Sequence, residues 1–311
     1  MKNNMQEYQF TYSFIIPHHN SPELLNRCLD SIPQREDIQI IVVDDNSAED
    51  KRPCIKRDDV EVIYIDAEHT KGAGRARNYG LKAAKGKWLL FADCDDYYNV
   101  GFLDVLDKYK DKNIDMLFFS CNSVDSDTME RIDSRGGALH KIILQAMTGD
   151  EMAIAKMKYG FRSPWYKMVS HALVEKYSIT FEEVKSGNDT MFSFNTCYHC
   201  ERYEIIPDQL YCVTYRQGSI TYSKKTMLDY YVQISGLLKR NAFYDALELN
   251  CLKLSLWKFL IKGVDNPQKN NTRFENIKNH ILFFIKGIWA VLSYNYKIYK
   301  EIPKYKRMII K

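Results

Sequence analysis

Lys87-Trp88-Leu89-Leu90-Phe91-Ala92-Asp93-Cys94-Asp95-Asp96 is the stretch whose reading decides the fold. Lys87–Phe91 has the apolar run of a strand buried on both faces. The residues after it place three carboxylates within four positions, where turn chemistry would be the ordinary ending. Such a cluster repels itself unless a cation neutralises it or solvent screens it. Hard oxygen ligands so placed suit Mg²⁺ or Mn²⁺, and the usual second partner of that metal is a diphosphate. An acidic turn that caps the next helix is the plainer alternative.

Working outward, strand and helix signals alternate. Short strands are expected at Tyr12–Ile16, Ile38–Val43, Val60–Ile65 and Ile114–Ser120, with Lys87–Phe91 between the last two. Ser21-Pro22 reads as an N-cap followed by Pro at the first helical position. Leu24, Leu25, Cys28, Leu29 and Ile32 then recur at helical spacing. Further helices are expected at Gly74–Ala84 and Val100–Tyr109. This rhythm predicts an α/β fold, a mainly parallel central sheet flanked by helices, with ligands beyond the carboxyl ends of the strands. Three polar clusters fall at such ends: Pro17–Asn20, Asp44–Ser47 and Asp93–Asp96. Beyond Ser120 the rhythm weakens. Asp125–Gly137 reads as a loop, Trp165–Val169 and Glu204–Tyr215 as strands, and Asp189–Tyr198 as a helix. From Lys225 the pattern is helical to the end, so a helical appendage is expected beyond a boundary near Thr221–Lys225.

The chain has 311 residues, 45% of them hydrophobic, enough for one large domain with an appendage. A formal net charge of +4 is too small to point to nucleic acid. Residues 281–311 alone hold seven Lys/Arg and one Glu, a net +6 that leaves −2 on the first 280. Eight scattered cysteines and a polar start to the chain read as reduced thiols without a secretory leader. Cys197-Tyr-His-Cys200 has the spacing of half a zinc site but no second pair to complete it. No stretch reaches the ~18 apolar residues of a membrane span. Ile281–Tyr294 comes nearest and reads as an amphipathic helix.

Asp44-Asp45 follows four β-branched residues, Ile40 to Val43. A carboxylate there either accepts the imide N–H of uracil or the hydroxyls of ribose, or forms an Asx-type turn with Asn46 and Ser47. Gly72-Ala73-Gly74-Arg75-Ala76-Arg77-Asn78 has the look of a dinucleotide fingerprint, but Arg77 occupies its third glycine position. Six residues, Asp66–Lys71, also separate strand from glycine, too many for the tight turn that seats a pyrophosphate. Arg77 and Asn78 suit donation to phosphate or base from a helix's first turns.

Phe14-Ile-Ile-Pro17-His-His-Asn20, Val43-Asp-Asp-Asn-Ser47, Ala76-Arg77-Asn78 and Leu90-Phe-Ala-Asp93-Cys-Asp95-Asp96 together resemble the successive motifs of the inverting glycosyltransferases of family 2, of bacterial surface-polysaccharide type. Pro164-Trp165-Tyr166-Lys167, Phe181-Glu-Glu, Asn188-Asp189-Thr-Met-Phe192 and Tyr215-Arg216-Gln-Gly-Ser219-Ile-Thr221 extend the resemblance more loosely. It implies a GT-A fold over 1–222, with a nucleotide-sugar half to about 120 and an acceptor half beyond it, and leaves 223–311 as the helical region. It implies that Pro17, His19 and Asn20 line the donor pocket, and that Asp45 reads uracil with Arg77 close by. Asp93 would meet the ribose or the metal's water shell, and Asp95 would ligate Mn²⁺ or Mg²⁺. Asp189 matches the position of the general base, although the Glu usual before it is replaced by Asn188. Glu182 and Glu183 stand by as fallback bases, Trp165 would be an acceptor platform, and Arg216 and Ser219 would close over the diphosphate.

The expected activity is metal-dependent, inverting transfer from a nucleotide sugar, UDP-linked by preference, to a hydroxyl of a glycan or lipid-linked glycan. Capsule and lipopolysaccharide both fit as products. The basic tail either docks on an anionic membrane surface or is solvated charge, which places the protein in the cytoplasm or peripherally on the inner face of the membrane. A sugar nucleotidyltransferase or a non-catalytic donor-binding scaffold are the alternatives. The first would want a basic residue near the α-phosphate and no acceptor base.

Overall fold

The computed structural model describes residues 8–65, 72–184, 186–216 and 227–255. The chain divides into two compact units, Met1–Tyr222 and Ser223–Lys311.

The first unit is built on an eight-stranded sheet. Strand β1 (Phe10–His18) pairs in parallel with β2 (Ile38–Asp44) and β4 (Gly86–Phe91), and β2 pairs in parallel with β3 (Val60–Tyr64). Every residue of β2 is buried, as the β-branched run Ile40–Val43 requires of a central strand. Helix α1 (Pro22–Asp30) starts at the expected proline, although the Ser21 side chain makes no capping bond. Helix α2 (Ala73–Ala83) packs on β1 and β2. Gly80 permits the close approach to the sheet, since a Cβ there would stand 2.4 Å from Cγ2 of Ile15.

Past β4 the sheet is mixed rather than parallel. The full order is β3-β2-β1-β4-β7-β6-β8-β5, with β5 (Tyr97–Tyr98), β6 (Met116–Asp125), β7 (Lys167–Ser170) and β8 (Tyr203–Tyr215). The short β7 enters between β4 and β6 and runs antiparallel to both, while β6 and β8 run parallel. Two-residue β5 closes the edge against β8. The polar stretch read as a loop to Gly137 ends sooner, in helix α4 (Arg135–Met147). Its buried face is Gly136, Leu139, Ile143 and Ala146, a helical spacing whose first turn is masked in the sequence by two glycines. Helices α3 (Phe102–Asp107), α5 (Glu151–Ala155), α6 (His171–Lys176) and α7 (Thr190–His199) complete the unit, with one π-helical turn at Lys156–Gly160. Cys197 and Cys200 are buried free thiols.

The described part of the second unit is helix α8 (Met227–Ala246) and a short 3₁₀ turn, Asn250–Leu252. Asn241 ties them together, exchanging hydrogen bonds of 2.8 and 3.0 Å with the backbone of Leu254. The amphipathic stretch at 281–294 and the basic tail lie outside the described residues. Among the described residues no helix is long and apolar enough to cross a membrane.

Candidate active site

The ends of β1, β2 and β4 lie side by side, so the three polar clusters meet. His18 at the end of β1 shares a 2.7 Å hydrogen bond with Asp44 at the end of β2. Its other ring nitrogen accepts the Ser21 N–H at 3.1 Å, so Nδ1 carries the proton and donates to Asp44. Asp44 also takes the Ser47 hydroxyl at 2.5 Å. It is therefore a buried fastener of the two strand ends. Asn20 and Asn46 both sit at positive φ, 54° and 57°, as asparagine in a tight strand exit tolerates. Asn20 receives the Ala48 N–H at 2.8 Å, and the ring of exposed His19 reaches the Asp45 carbonyl at 2.8 Å. Pro17 is buried beneath them.

Asp45 points differently from Asp44. It is 8% exposed, and its Oδ1 is buried with no hydrogen-bond partner among the described residues. Burial pushes its carboxyl up, against the pull of His19, the Gly72 N–H and Arg75. Arg75 is thus a positive neighbour of Asp45. Arg75 is itself buried, with Nη2 on the Tyr79 hydroxyl at 3.1 Å and Nη1 unpaired among the described residues. An unpaired acceptor beside an unpaired donor is the complement of an imide edge, in which an N–H is flanked by carbonyls.

The three carboxylates of the acidic turn separate into three environments. Asp96 is 3% exposed and accepts the Thr214 N–H at 2.7 Å and the Tyr211 hydroxyl at 2.9 Å. It faces the core and anchors the turn to β8. Asp93 faces outward, with Oδ1 held by Arg77 at 2.5 Å, while its N–H donates to Tyr211 at 2.9 Å. Asp95 is pinned through its carbonyl by Arg27 at 2.6 Å and by the Thr214 hydroxyl at 2.5 Å. Its carboxylate takes no hydrogen bond from another described side chain. Burial and then Asp93 push it up, opposed by Arg216 and Arg27. A carboxyl whose charged form burial and a like neighbour disfavour is one that a cation would relieve.

Among the described residues no group of three or more His, Cys, Asp or Glu is arranged to hold a metal ion. One or two carboxylates with substrate phosphates is, however, the ordinary ligand set for Mg²⁺. Asp95 and the second oxygen of Asp93 fit that pattern, with a bound diphosphate supplying the rest.

Beyond Arg77 stands the segment that leads into α7. Nη1 of Arg77 donates to Asn188 at 2.9 Å, and Asp189 follows at the head of α7. Asp189 makes no capping bond to that helix, so its carboxylate is not used up in holding the fold. Burial pushes it up, opposed by Arg77 and Arg162. The fallback Glu183 is exposed and receives the Asn78 amide at 3.3 Å, and Glu182 lies on the same segment. Trp165 is not an open platform. It is 2% exposed and stacks on Tyr211 with ring centroids 5.1 Å apart and planes at 9°, backing the acidic turn from behind. Lys167 is buried with its ammonium over the Tyr166 ring at 4.5 Å. Arg216 is half-buried, and Ser219 lies outside the described residues. A cleft of about 580 Å³ behind the turn is lined by Arg27, Tyr97 and Met129 but by none of the outward carboxylates.

The sequence profile of glycosyl transferase family 2 matches residues 13–178, more than half of the chain. The chain belongs to glycosyl transferase family 2. Relatives include the poly(ribitol-phosphate) beta-glucosyltransferase of Bacillus spizizenii, 27% identical over 64% of this chain and 31% of the relative. The poly(ribitol-phosphate) beta-N-acetylglucosaminyltransferase TarS of Staphylococcus aureus is 25% identical over 67% of this chain and 36% of its own length. The chain therefore spans only about a third of those two proteins. It spans 72% of the glycosyltransferase GlyG of Streptococcus pneumoniae, at 24% identity. Among solved structures, TarS residues 1–349 in complex with UDP-GlcNAc superimposes with a TM-score of 0.55 at 20% identity, covering 91% of this chain and 82% of that one. The fold of this family 2 chain is accordingly GT-A, with the mixed sheet described above.

Proposed function

We propose that this family 2 transferase moves a sugar from a UDP-linked donor to a hydroxyl of a bacterial cell-surface polymer, with a divalent metal at the acidic turn and inversion at the anomeric carbon. The observation that carries this reading is a pair of carboxylates left out of the fold's side-chain hydrogen bonding, Asp95 in the acidic turn and Asp189 at the head of α7, with the Arg77 guanidinium bridging their neighbours Asp93 and Asn188. Relatives named for transfer of glucose or N-acetylglucosamine to poly(ribitol-phosphate) support the polymer acceptor, and the UDP-GlcNAc in the TarS structure supports the donor.

In this reading Asp45 accepts the uracil N–H through its unpaired Oδ1, and Arg75 donates to a flanking carbonyl. Pro17, His19 and Asn20 form the wall of the base pocket. Asp95, with Asp93, would hold Mn²⁺ or Mg²⁺, and the bound ion would supply charge withdrawal from the departing diphosphate. Asp189 takes the proton of the acceptor hydroxyl as that oxygen attacks in line with the leaving group. Single displacement inverts the configuration. Arg77 holds Asp93 by a 2.5 Å ion pair and so fixes the side chain at the edge of the donor pocket.

Calorimetry with UDP, GDP and CDP, with and without Mn²⁺, tests the donor side. Metal-dependent binding of UDP is expected. Preference for another nucleotide would overturn the role of Asp45, and no nucleotide binding would favour a scaffold over an enzyme. Release of UDP from UDP-GlcNAc and UDP-glucose, with poly(ribitol-phosphate) as acceptor, tests the transfer.

A further inference from the structure

The segment Phe181–Asp189 carries the candidate base yet has no helix or strand among its described residues. It folds on itself through Glu182 N–H to the Asn188 carbonyl at 3.1 Å and turns at Gly187, whose φ is +73°. A loop so short of regular hydrogen bonds needs an outside template to hold one side chain to the tolerance that proton transfer demands.

Helix α2 supplies that template with three successive contacts. Asn78 clasps the backbone of Phe181 from both sides, Nδ2 to its carbonyl at 3.0 Å and Oδ1 to its N–H at 2.8 Å. Gly74 lets the helix lie flat on the segment, since a Cβ there would stand 2.1 Å from the Glu182 carbonyl and 2.7 Å from Cβ of Asn188. Arg77 grips Asn188 by Nη1 and Asp93 by Nη2, with its guanidinium over the Phe181 ring at 5.4 Å. That ring is stacked on Phe192 of α7 at 3.9 Å and meets Phe91 of β4 edge-on at 5.3 Å. One planar guanidinium thus spans from the donor-side carboxylate to the residue before the base. Asn188 suits this grip because an amide oxygen accepts from Arg77 without adding a like charge beside Asp189.

We infer that α2 is a clamp on the base-bearing segment and that Asn78 and Asn188 are positioning residues, which hold Asp189 in register with the donor through Arg77. The inference rests on the assignment of Asp189 as base made above.

Three variants test it: Asn188→Ala, Asn78→Ala and the isosteric Asn188→Asp, which keeps an acceptor for Arg77 and guards against loss of folding. Amide exchange read by mass spectrometry should rise about tenfold or more across 181–189 in both alanine variants, with β1 and β2 unchanged. The kcat for UDP release from UDP-GlcNAc should fall about 10–100-fold, with donor KM and UDP affinity held within about twofold. Asn188→Asp should recover most of the protection. Unchanged exchange in the alanine variants, or a loss of UDP binding as large as the loss of kcat, would overturn the clamp. Calorimetry of the unaltered protein with UDP and Mn²⁺ tests the functional reading separately. The exchange experiment decides for or against the clamp whichever way that titration falls.

Discussion

Tyr211 and Asp96 are joined by a 2.9 Å hydrogen bond inside the protein, where the tyrosine is wholly buried and the aspartate nearly so. The same hydroxyl accepts the N–H of Asp93, so one phenol fixes the acidic turn at two points. One of the turn's three carboxylates, Asp96, is thereby structural, and those of Asp93 and Asp95 take no part in this anchor.

Asp96→Ala strips the partners from the Tyr211 hydroxyl and the Thr214 N–H. Leaving buried donors unsatisfied costs about 1–3 kcal/mol each, so a loss of about 2–5 kcal/mol is expected. Urea unfolding measures it. A loss under about 1 kcal/mol would mean that Asp96 is not the anchor of the turn.

Asp95→Asn should behave in the opposite way. The folded protein holds this carboxyl above its ordinary value, first by burial and then by Asp93. The unfolded chain therefore ionises first. The favourable contribution is full below about pH 3.9 and is lost as pH rises through the folded value. Removing the charge should leave the melting temperature at pH 7.5 unchanged or raised, while Mn²⁺-dependent UDP binding disappears. In the unaltered protein the stabilisation by Mn²⁺ with UDP should be larger at pH 7.5 than at pH 5, because the ligand must be ionised. Thermal unfolding at the two pH values reads both effects.

Asp189→Asn is expected to retain UDP binding and to lower kcat by about 10²–10⁴. A base must be ionised, so kcat should fall with decreasing pH. Burial raises this carboxyl, which puts the acid limb above the ordinary carboxylate value of about 4. Arg162→Ala removes a positive neighbour that favours the ionised form, and should move the limb further up. A pH–rate profile that stays in place would count against Asp189 as the titrating group.

Asp45→Asn offers an amide that can turn its N–H₂ toward an imide and so repel it. UDP affinity should drop about 10–100-fold with stability within about 1 kcal/mol of the unaltered protein. Calorimetry and urea unfolding on one preparation separate the two. Undiminished UDP affinity would remove Asp45 from the base pocket.

What could be read from the chain alone was local. Four β-branched residues in a row announce β2, and the alternation of strand and helix puts Pro17–Asn20, Asp44–Ser47 and Asp93–Asp96 at one edge of a sheet. What could not be read depends on partners far along the chain. Asp96 and Asp95 look alike in sequence, and only Tyr211 and Thr214, 115 and 118 residues from Asp96, tell them apart. Arg77 reads as a donor to phosphate or base because its partner Asn188 is 111 positions away. Arg75, two residues earlier on the same helix, is a positive neighbour of Asp45, a relation that no motif displays. Trp165 carries the chemistry of a sugar platform but lies under Tyr211. The mixed order beyond β4 was hidden because β7 is four residues long and enters the sheet out of chain order, between β4 and β6.

The dependence of the acidic turn on β8 has a consequence for biosynthesis. A ribosome makes Asp93, Asp95 and Asp96 more than a hundred residues before Tyr211 and Thr214. Strands β1 to β4 can pair as they emerge, since their crossovers are short and local, whereas the turn gains its internal anchor only when the last strand of the sheet docks. A nascent chain would therefore display Asp93 and Asp95 unset, and the acidic turn would take its final form late and all at once, as a by-product of finishing the sheet.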